Sequence, residues 1–345
     1  MRRIVQKICL FLVVLTPLIG KDDYQVVHQP EVLKKAESLD LSGTLKQKEN
    51  GFVYLDVSNE FITSIAPLLE HEGRLQVLPT AKKSTGAHIS AFYESEGVSP
   101  TEIDQKFAFD VNEIRKFTLH TRDEVKKLWV IAVDAPELED LRASYGLSPY
   151  LKGKAFHITI GKQLPVAPDG WQNCTDFSQF NFMKDLTLPM ESSGDFTRLD
   201  SKEIKELIKI SNGLGQLSLK SNGFVYLDVN NSVLDQFVPL LPIESEFSPT
   251  KGIGAHVSAI YESEMISHEI WNFDHAGEWF IFEMKEIRYV DRKTSEGYER
   301  LWLLAVDCPG LQRLRRHYGM KPKLQGHDFH ITLGKEKINA LLEAI

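Results

Sequence analysis

The chain has 345 residues, 42% of them hydrophobic and 26% charged, with 40 basic against 48 acidic side chains and a net charge of -8. That length suits two domains better than one core, and the balance is the ordinary one of a globular protein. The acidic excess excludes gripping long nucleic acid through its phosphates, which needs a surplus of Lys and Arg. A local cationic pocket for one small phosphate ester or one nucleic-acid end is still allowed.

At the start of the chain, Arg2, Arg3 and Lys7 precede an apolar run from Ile8 to Ile19, and acidic residues begin only at Asp22. This is the pattern of a secretory signal peptide over residues 1–20, cleaved after Gly20, and the run is too short for a comfortable membrane span. It predicts an exported protein, periplasmic or secreted. Because Leu18 and Gly20 are not the favoured small pair, an uncleaved N-terminal anchor is the alternative. No stable membrane partner is expected unless such an anchor is retained. Cys9 would leave with this segment. Cys174 and Cys308 show neither metal-ligand spacing nor a disulfide framework and read as unpaired, partly buried thiols.

The remainder is duplicated. Asn50-Gly-Phe-Val-Tyr-Leu-Asp-Val57 returns as Asn222-Gly-Phe-Val-Tyr-Leu-Asp-Val229, and Gly86-Ala-His-Ile-Ser-Ala-Phe-Tyr-Glu-Ser-Glu96 as Gly254-Ala-His-Val-Ser-Ala-Ile-Tyr-Glu-Ser-Glu264. Leu128 to Asp134 matches Leu301 to Asp307, and Phe156-His-Ile-Thr-Ile-Gly-Lys162 matches Phe329-His-Ile-Thr-Leu-Gly-Lys335. Order and spacing are kept, which is the mark of a repeated domain. The expected division is 21–165 for the first domain, 166–200 for a linker rich in Pro, Gly, Ser, Asp and Asn, and 201–345 for the second.

Within the first repeat, periodicity predicts strands over 52–57, 87–93, 127–134 and 156–161, with one or two more strands over 107–120. Helices are expected over 31–39, 61–69 and 136–145, the last with Pro in its first turn and Gly146 at its end. Lys202 to Ile210 has helical spacing and opens the second repeat. The pattern is α+β, and each repeat halves again into two βα units, each carrying one histidine strand.

Those strands carry the chemistry. His88 with Ser90, His157 with Thr159, His256 with Ser258 and His330 with Thr332 each form a His-x-Ser/Thr pair inside an apolar run. In a strand, residues i and i+2 share a face, so each strand presents an imidazole beside a hydroxyl while Ile89, Ile158, Val257 or Ile331 turns to the core. If the two such strands of a repeat flank one bound group, a neutral imidazole can take a proton from water and a protonated one can give a proton to a leaving oxygen. The hydroxyls can donate to the non-bridging oxygens of a phosphoryl group. This chemistry calls for no metal and no other cofactor. Four histidines also raise a zinc reading, which leaves the hydroxyls without a role.

These residues resemble the two-histidine (2H) phosphoesterase superfamily, which includes the bacterial RNA ligase-like cyclic phosphodiesterases, with its Swiss-army-knife-like branch as a closer relative. The resemblance rests on two His-x-Ser/Thr strands per repeat, the order of elements, and Tyr-Gly followed by Phe-His-Ile-Thr-Ile/Leu-Gly. It covers about 50–162 and 222–335. It implies two tandem bilobal α+β domains with mainly antiparallel sheets, and metal-independent cleavage of 2',3'-cyclic phosphates, related cyclic phosphodiesters or 2',5' linkages. The partner it implies is a small nucleotide or an RNA end. By the same resemblance His88, His157, His256 and His330 are catalytic, and Ser90, Thr159, Ser258 and Thr332 hold phosphate. Ser stands where the family usually has Thr in the first motif of each pair. A non-catalytic nucleotide- or phosphate-binding module of the same fold is the alternative. The motifs of one repeat lie closer along the chain than those of different repeats, which favours two self-contained sites.

Around the motifs, Lys154 precedes His157 by three residues and His327 stands at the matching place before His330, both as auxiliary candidates. Phe52 with Tyr54, and Phe224 with Tyr226, share a strand face and read as a core or sheet surface first and a base-stacking platform second. The acidic runs Glu94/Glu96 and Glu262/Glu264 read as solvated loops, with a part at the cleft rim as the alternative that their recurrence allows.

Overall fold

Val53, Leu55 and Val57 are buried while Tyr54 and Asp56 are not, and Val225, Leu227 and Val229 repeat the pattern. This period of two builds two antiparallel sheets, one per repeat, each with few and short helices. The computed structural model describes residues 24–81, 84–120, 125–167, 196–294 and 297–338. The expected signal segment with Cys9, and most of the expected linker with Cys174, lie outside the described residues.

The first repeat runs β1 (Tyr24–Val27), α1 (Pro30–Glu37), β2 (Ser42–Gln47), β3 (Val53–Val57), α2 (Glu60–Thr63), β4 (Arg74–Val77), β5 (His88–Phe92), β6 (Lys106–Ala108), β7 (Asp110–His120), β8 (Val125–Asp134), α3 (Pro136–Ser144) and β9 (His157–Leu164). Its sheet order is β1-β7-β8-β9-β5-β3-β2-β6, with β4 also on β9. The two lobes are half-sheets, β7-β8-β9 and β5-β3-β2, and they meet where the histidine strands β5 and β9 pair. That seam is narrow: its recorded partners are Ile89 and Ile158 alone, both fully buried. The helix expected over 61–69 is shorter, because Pro67 breaks it into α2 and a separate 3-10 turn at Ala66–Leu68. Strands β1, β2 and β4 escaped the periodicity. β4 is a short edge strand with no buried residue, and β2 carries polar residues on its outer face.

The second repeat follows with β10 (Thr197–Arg198), α4 (Lys202–Ile210), β11 (Asn212–Leu219), β12 (Val225–Val229), α5 (Ser232–Phe237), β13 (Phe247–Pro249), β14 (His256–Ile260), α6 (Glu262–Ser267), β15 (Trp279–Thr294), β16 (Gly297–Asp307), α7 (Pro309–His317) and β17 (His330–Ile338). Here β15 is one unbroken strand: its first residues pair with β11 and the rest with β16. It thereby passes from one half-sheet to the other and closes the ring. In the first repeat β6 and β7 divide this work, β6 on β2 and β7 on β8, with Phe109 between them. Histidine strand β14 again meets β17 at one recorded pair, Val257 with Ile331. Cys308 is buried outright rather than partly, has no disulfide partner, and its thiol is pushed up to about 12 by burial.

The repeats touch. Val166 forms a parallel bridge to Asn272, its amide donating to the Trp271 carbonyl and its carbonyl accepting from Phe273, each at 2.9 Å. Lys162 pairs with Glu262, Lys127 with Glu269 at 2.9 Å, and Arg74 Nη2 donates to the Ser221 carbonyl at 2.7 Å.

The glycine of the Phe-His-Ile-Thr-Ile-Gly run has a packing reason. A Cβ on Gly161 would lie 2.7 Å from the Gln76 carbonyl oxygen and 3.0 Å from Val77 Cα, and one on Gly334 would lie 2.7 Å from the Ser248 carbonyl oxygen. An edge strand therefore crosses each histidine strand with no room for a side chain. Gly161→Ala is expected to cost about 1–3 kcal/mol through displacement of β4, read as a lower urea midpoint at unchanged slope.

Candidate active site

Pairing of Ile89 with Ile158 in antiparallel strands sets His88 opposite Thr159 and Ser90 opposite His157, all four on the face away from the core. Val257 with Ile331 does the same for His256, Thr332, Ser258 and His330. Each histidine thus faces the hydroxyl of the other strand, besides having its own at i+2. All eight predicted side chains are half-buried, lining a surface and not sealed in a core.

The four imidazoles are oriented alike. Nδ1 of His88 lies 2.9 Å from the Gly86 carbonyl oxygen, and Nδ1 of His157 lies 3.2 Å from that of Ala155. In the second repeat, Nδ1 of His256 is 2.8 Å from the Gly254 oxygen and Nδ1 of His330 is 3.2 Å from the Asp328 oxygen. A carbonyl can only accept, so Nδ1 carries the proton and donates it, which leaves Nε2 as the basic nitrogen of the neutral ring. Before the first histidine of each repeat, Gly86 and Gly254 take φ of 69° and 84°, in the left-handed region where a side chain is strained, and a Cβ there would run into Oδ1 of Asn59 or Asn231. Asn59 Oδ1 accepts from the Ala87 amide at 2.9 Å and Asn231 Oδ1 from the Ala255 amide at 2.8 Å, pinning the start of each strand.

Residues 53–164 and 225–340 both match the family model described as Swiss Army Knife, 2H phosphoesterase domain. The chain belongs to this family. No curated protein and no solved structure gives a significant match. The two stretches of 2H phosphoesterase domain are the two repeats, and each contains both of its histidine strands. Membership carries phosphoesterase-type activity in general and does not specify a substrate.

Burial holds the imidazoles of His88, His157 and His330 below the ordinary value near 6.5, against the opposing pull of their carbonyl bonds. For His157 the charges of His88, Lys154 and Arg115 push the same way. For His330 those of His327, His256 and Arg288 do so. The auxiliary candidates therefore lie within electrostatic reach of the second histidine of each 2H domain. Lys154 and His327 occupy matching tight turns, bridged to Leu151 and Leu324.

The aromatic pairs form a platform. Phe52 stacks on Tyr54 at 5.6 Å and on Tyr93 at 6.2 Å, and both Phe52 and Tyr54 meet His88 edge-on at 6.0 and 5.8 Å. Phe224, Tyr226, Tyr261 and His256 repeat this with centroid distances of 5.6, 6.0, 6.2 and 5.9 Å. The rings are half-buried, so they form a surface beside the histidine, with Tyr93 and Tyr261 also packed against the cores beneath.

Two sets of residues escaped the sequence reading. Glu96 and Glu264 are partly buried and ion-paired: Arg142, 1% exposed, donates to both oxygens of Glu96 at 3.2 and 2.8 Å, to the Ala91 carbonyl at 2.6 Å and to the Ser148 carbonyl at 2.8 Å. Arg315 repeats this on Glu264, Ala259 and Lys321. Glu96 in turn accepts from the Tyr93 amide at 2.8 Å. One guanidinium thus ties the end of the first histidine strand, the platform and the loop that leads to the second. The other set is Arg115 and Arg288, each donating from Nε to Glu113 or Glu286 at 2.6 Å. Arg115 is in register with Val130, and Val130 with Thr159, which puts the guanidinium on the site face. The recurrence of Glu-Ile-Arg at 113–115 and 286–288 was the available signal.

Arg142→Met leaves the partly exposed Glu96 without its cation and the Ala91 carbonyl without its donor, and is expected to lower stability by about 1–3 kcal/mol. Arg142→Lys should recover only part of it, because an ammonium cannot reproduce the fork; thermal unfolding of both variants checks this. The neutral histidines also set a pH dependence. Unfolded imidazoles titrate near 6.5 and these folded ones lower, so the unfolded state binds more protons at acid pH. The stability they hold is whole above about pH 6.5 and is lost as pH falls towards the folded values. His157→Gln is expected to flatten the fall in urea midpoint between about pH 7 and pH 5.

Proposed function

We propose that the protein is a metal-independent phosphoesterase that opens cyclic phosphates, or cleaves 2',5' or cyclic phosphodiesters, of nucleotides or RNA ends, at two paired-histidine sites. The observation that carries this reading is the common tautomer: every motif histidine spends its Nδ1 proton on its own backbone and offers Nε2. In the first site, His88 and His157 flank the phosphorus. One neutral ring takes a proton from the attacking water as the new P–O bond forms. The opposite ring, protonated, gives its proton to the ribose oxygen as the old P–O bond breaks. A phosphomonoester results, and the two rings have exchanged protonation states. Ser90 and Thr159 donate to the non-bridging oxygens. His256, His330, Ser258 and Thr332 do the same in the second site.

Burial favours the neutral form of His88 and His157. The negative phosphodiester raises the proton affinity of the ring beside it, so the substrate helps to create the acid that its leaving group needs. A base lying on the Phe52 and Tyr93 platform would set the ribose beside His88. Export by residues 1–20 belongs to the same proposal and places such substrates outside the cytosol.

The test is hydrolysis, in EDTA, of 2',3'-cyclic nucleotides, 2',5' dinucleotides and RNA ending in a cyclic phosphate. With the second site closed by His256→Ala and His330→Ala, His88→Ala or His157→Ala is expected to lower kcat by about 10²–10⁴. Turnover that vanishes in EDTA, or that survives all four replacements, would refute the mechanism. Binding without turnover by the intact chain would favour a ligand-binding module.

A further inference from the structure

The turn that leads into the platform strand is tied down differently in the two repeats. In the first, Asn50 Oδ1 accepts from the Phe52 amide at 3.2 Å and its Nδ2 donates to Glu94 at 3.1 Å. Lys48, at the same turn, donates to Thr85. Both ties stay within the repeat, and Glu94 stands directly after the platform ring of Tyr93. In the second repeat Asn222 again accepts from the Phe224 amide at 3.2 Å. Glu262, directly after Tyr261, is instead paired with Lys162 of the first repeat.

Two more contacts from the first repeat reach the same turn. Arg74 Nη2 donates to the Ser221 carbonyl at 2.7 Å, and a Cβ on Gly223 would lie 3.0 Å from Cδ of Pro165, so the proline ring packs against the turn. Arg74 opens β4, Lys162 lies on β9 and Pro165 follows it; the two strands are paired, Arg74 with Leu164. One edge of the first repeat therefore holds residues 221, 223 and 262. These flank Phe224 and Tyr261, whose rings stack at 6.0 Å, with Phe224 edge-on to His256 at 6.2 Å.

The arrangement runs one way. In the second repeat the place of Lys162 is taken by Lys335 and that of Arg74 by Glu246, as the register of β13 on β17 shows. Lys335 reaches Glu299 at 3.6 Å, and Glu246 pairs with Lys337 at 2.8 Å. Both are engaged inside their own repeat.

We propose that Arg74 and Lys162 are positioning residues of the second site: they hold the turn and Glu262 so that Phe224 and Tyr261 stay stacked, ready for a nucleotide base. The inference rests on the reading of the platform as a base-binding surface beside the paired histidines. A ring already in place costs nothing to order when the base arrives. The Lys162 and Glu262 side chains are each only 21% exposed, so solvent and salt screen their attraction less than that of a surface pair. The second site thus draws part of its base affinity from the first repeat, whereas the first site keeps its own turn in place.

The experiment is calorimetric binding of adenosine 2'-monophosphate and of inorganic phosphate to the full chain, with one site closed at a time. The closures are His88→Ala with His157→Ala, or His256→Ala with His330→Ala. With the second site open, Arg74→Met with Lys162→Met is expected to weaken the nucleotide about fivefold, the low end of what a stacked base contributes, and to leave inorganic phosphate unchanged. With the first site open, the same pair should change neither. Exchanging the charges, Lys162→Glu with Glu262→Lys, should restore the nucleotide binding that Lys162→Glu alone weakens. Unchanged nucleotide binding at the second site, an equal loss for nucleotide and phosphate, an equal loss at the first site, or no recovery on exchange would overturn the proposal. Nucleotide bound by neither site of the unsubstituted chain would refute the reading of the sites and the proposal with it. The expected binding pattern beside absent hydrolysis would refute only the catalytic reading.

Discussion

The site depends on one hydrogen bond made four times, from imidazole Nδ1–H to the carbonyl two residues earlier, just before the strand begins. It is local, so it needs no partner from elsewhere in the fold, and it fixes ring orientation and tautomer together. Everything else serves to bring two such strands side by side. The glycines at 86 and 254 turn the chain into the first histidine strand of each repeat, and Asn59 and Asn231 hold that turn. The seam at Ile89 and Ile158 sets the register, and a slip of one residue there would turn the histidines into the core.

The buried guanidiniums extend this control outward. Arg142 and Arg315 link pieces of chain 57 and 62 residues apart that have no reason of their own to stay together: the end of one histidine strand and the loop that leads to the other. An ion pair so deeply placed is a poor source of net stability, since desolvation offsets most of its attraction. Its value lies in geometry, because the fork is satisfied in only one arrangement of the three segments.

Much of this was legible in the sequence. Strands with clean alternation, such as 53–57 and its copy, and the helix at 202–210 lie where the pattern put them. The half-sheet junction was legible only as two strands sharing a purpose; that they are direct neighbours depends on long-range pairing that no local pattern encodes. Edge strand β4 was invisible because none of its residues is buried. Glu96 and Glu264 were misread for a different reason. Their partners lie 46 and 51 residues further along the chain, so local polarity spoke for solvent while the tertiary fold supplied a buried cation. Their recurrence in both copies was the better guide.

The unbroken strand of the second repeat has a consequence for how that half of the molecule breathes. β15 carries the ladder of both half-sheets on one continuous run of backbone, so neither half can peel away without loosening hydrogen bonds in the other. In the first repeat the corresponding chain is parted at Phe109 into β6 and β7. Amide protons there belong to two separable blocks, whereas in the second repeat they form one. The fluctuation that exposes the backbone is therefore local in the first copy and nearly global in the second, although the two site faces are near replicas of each other.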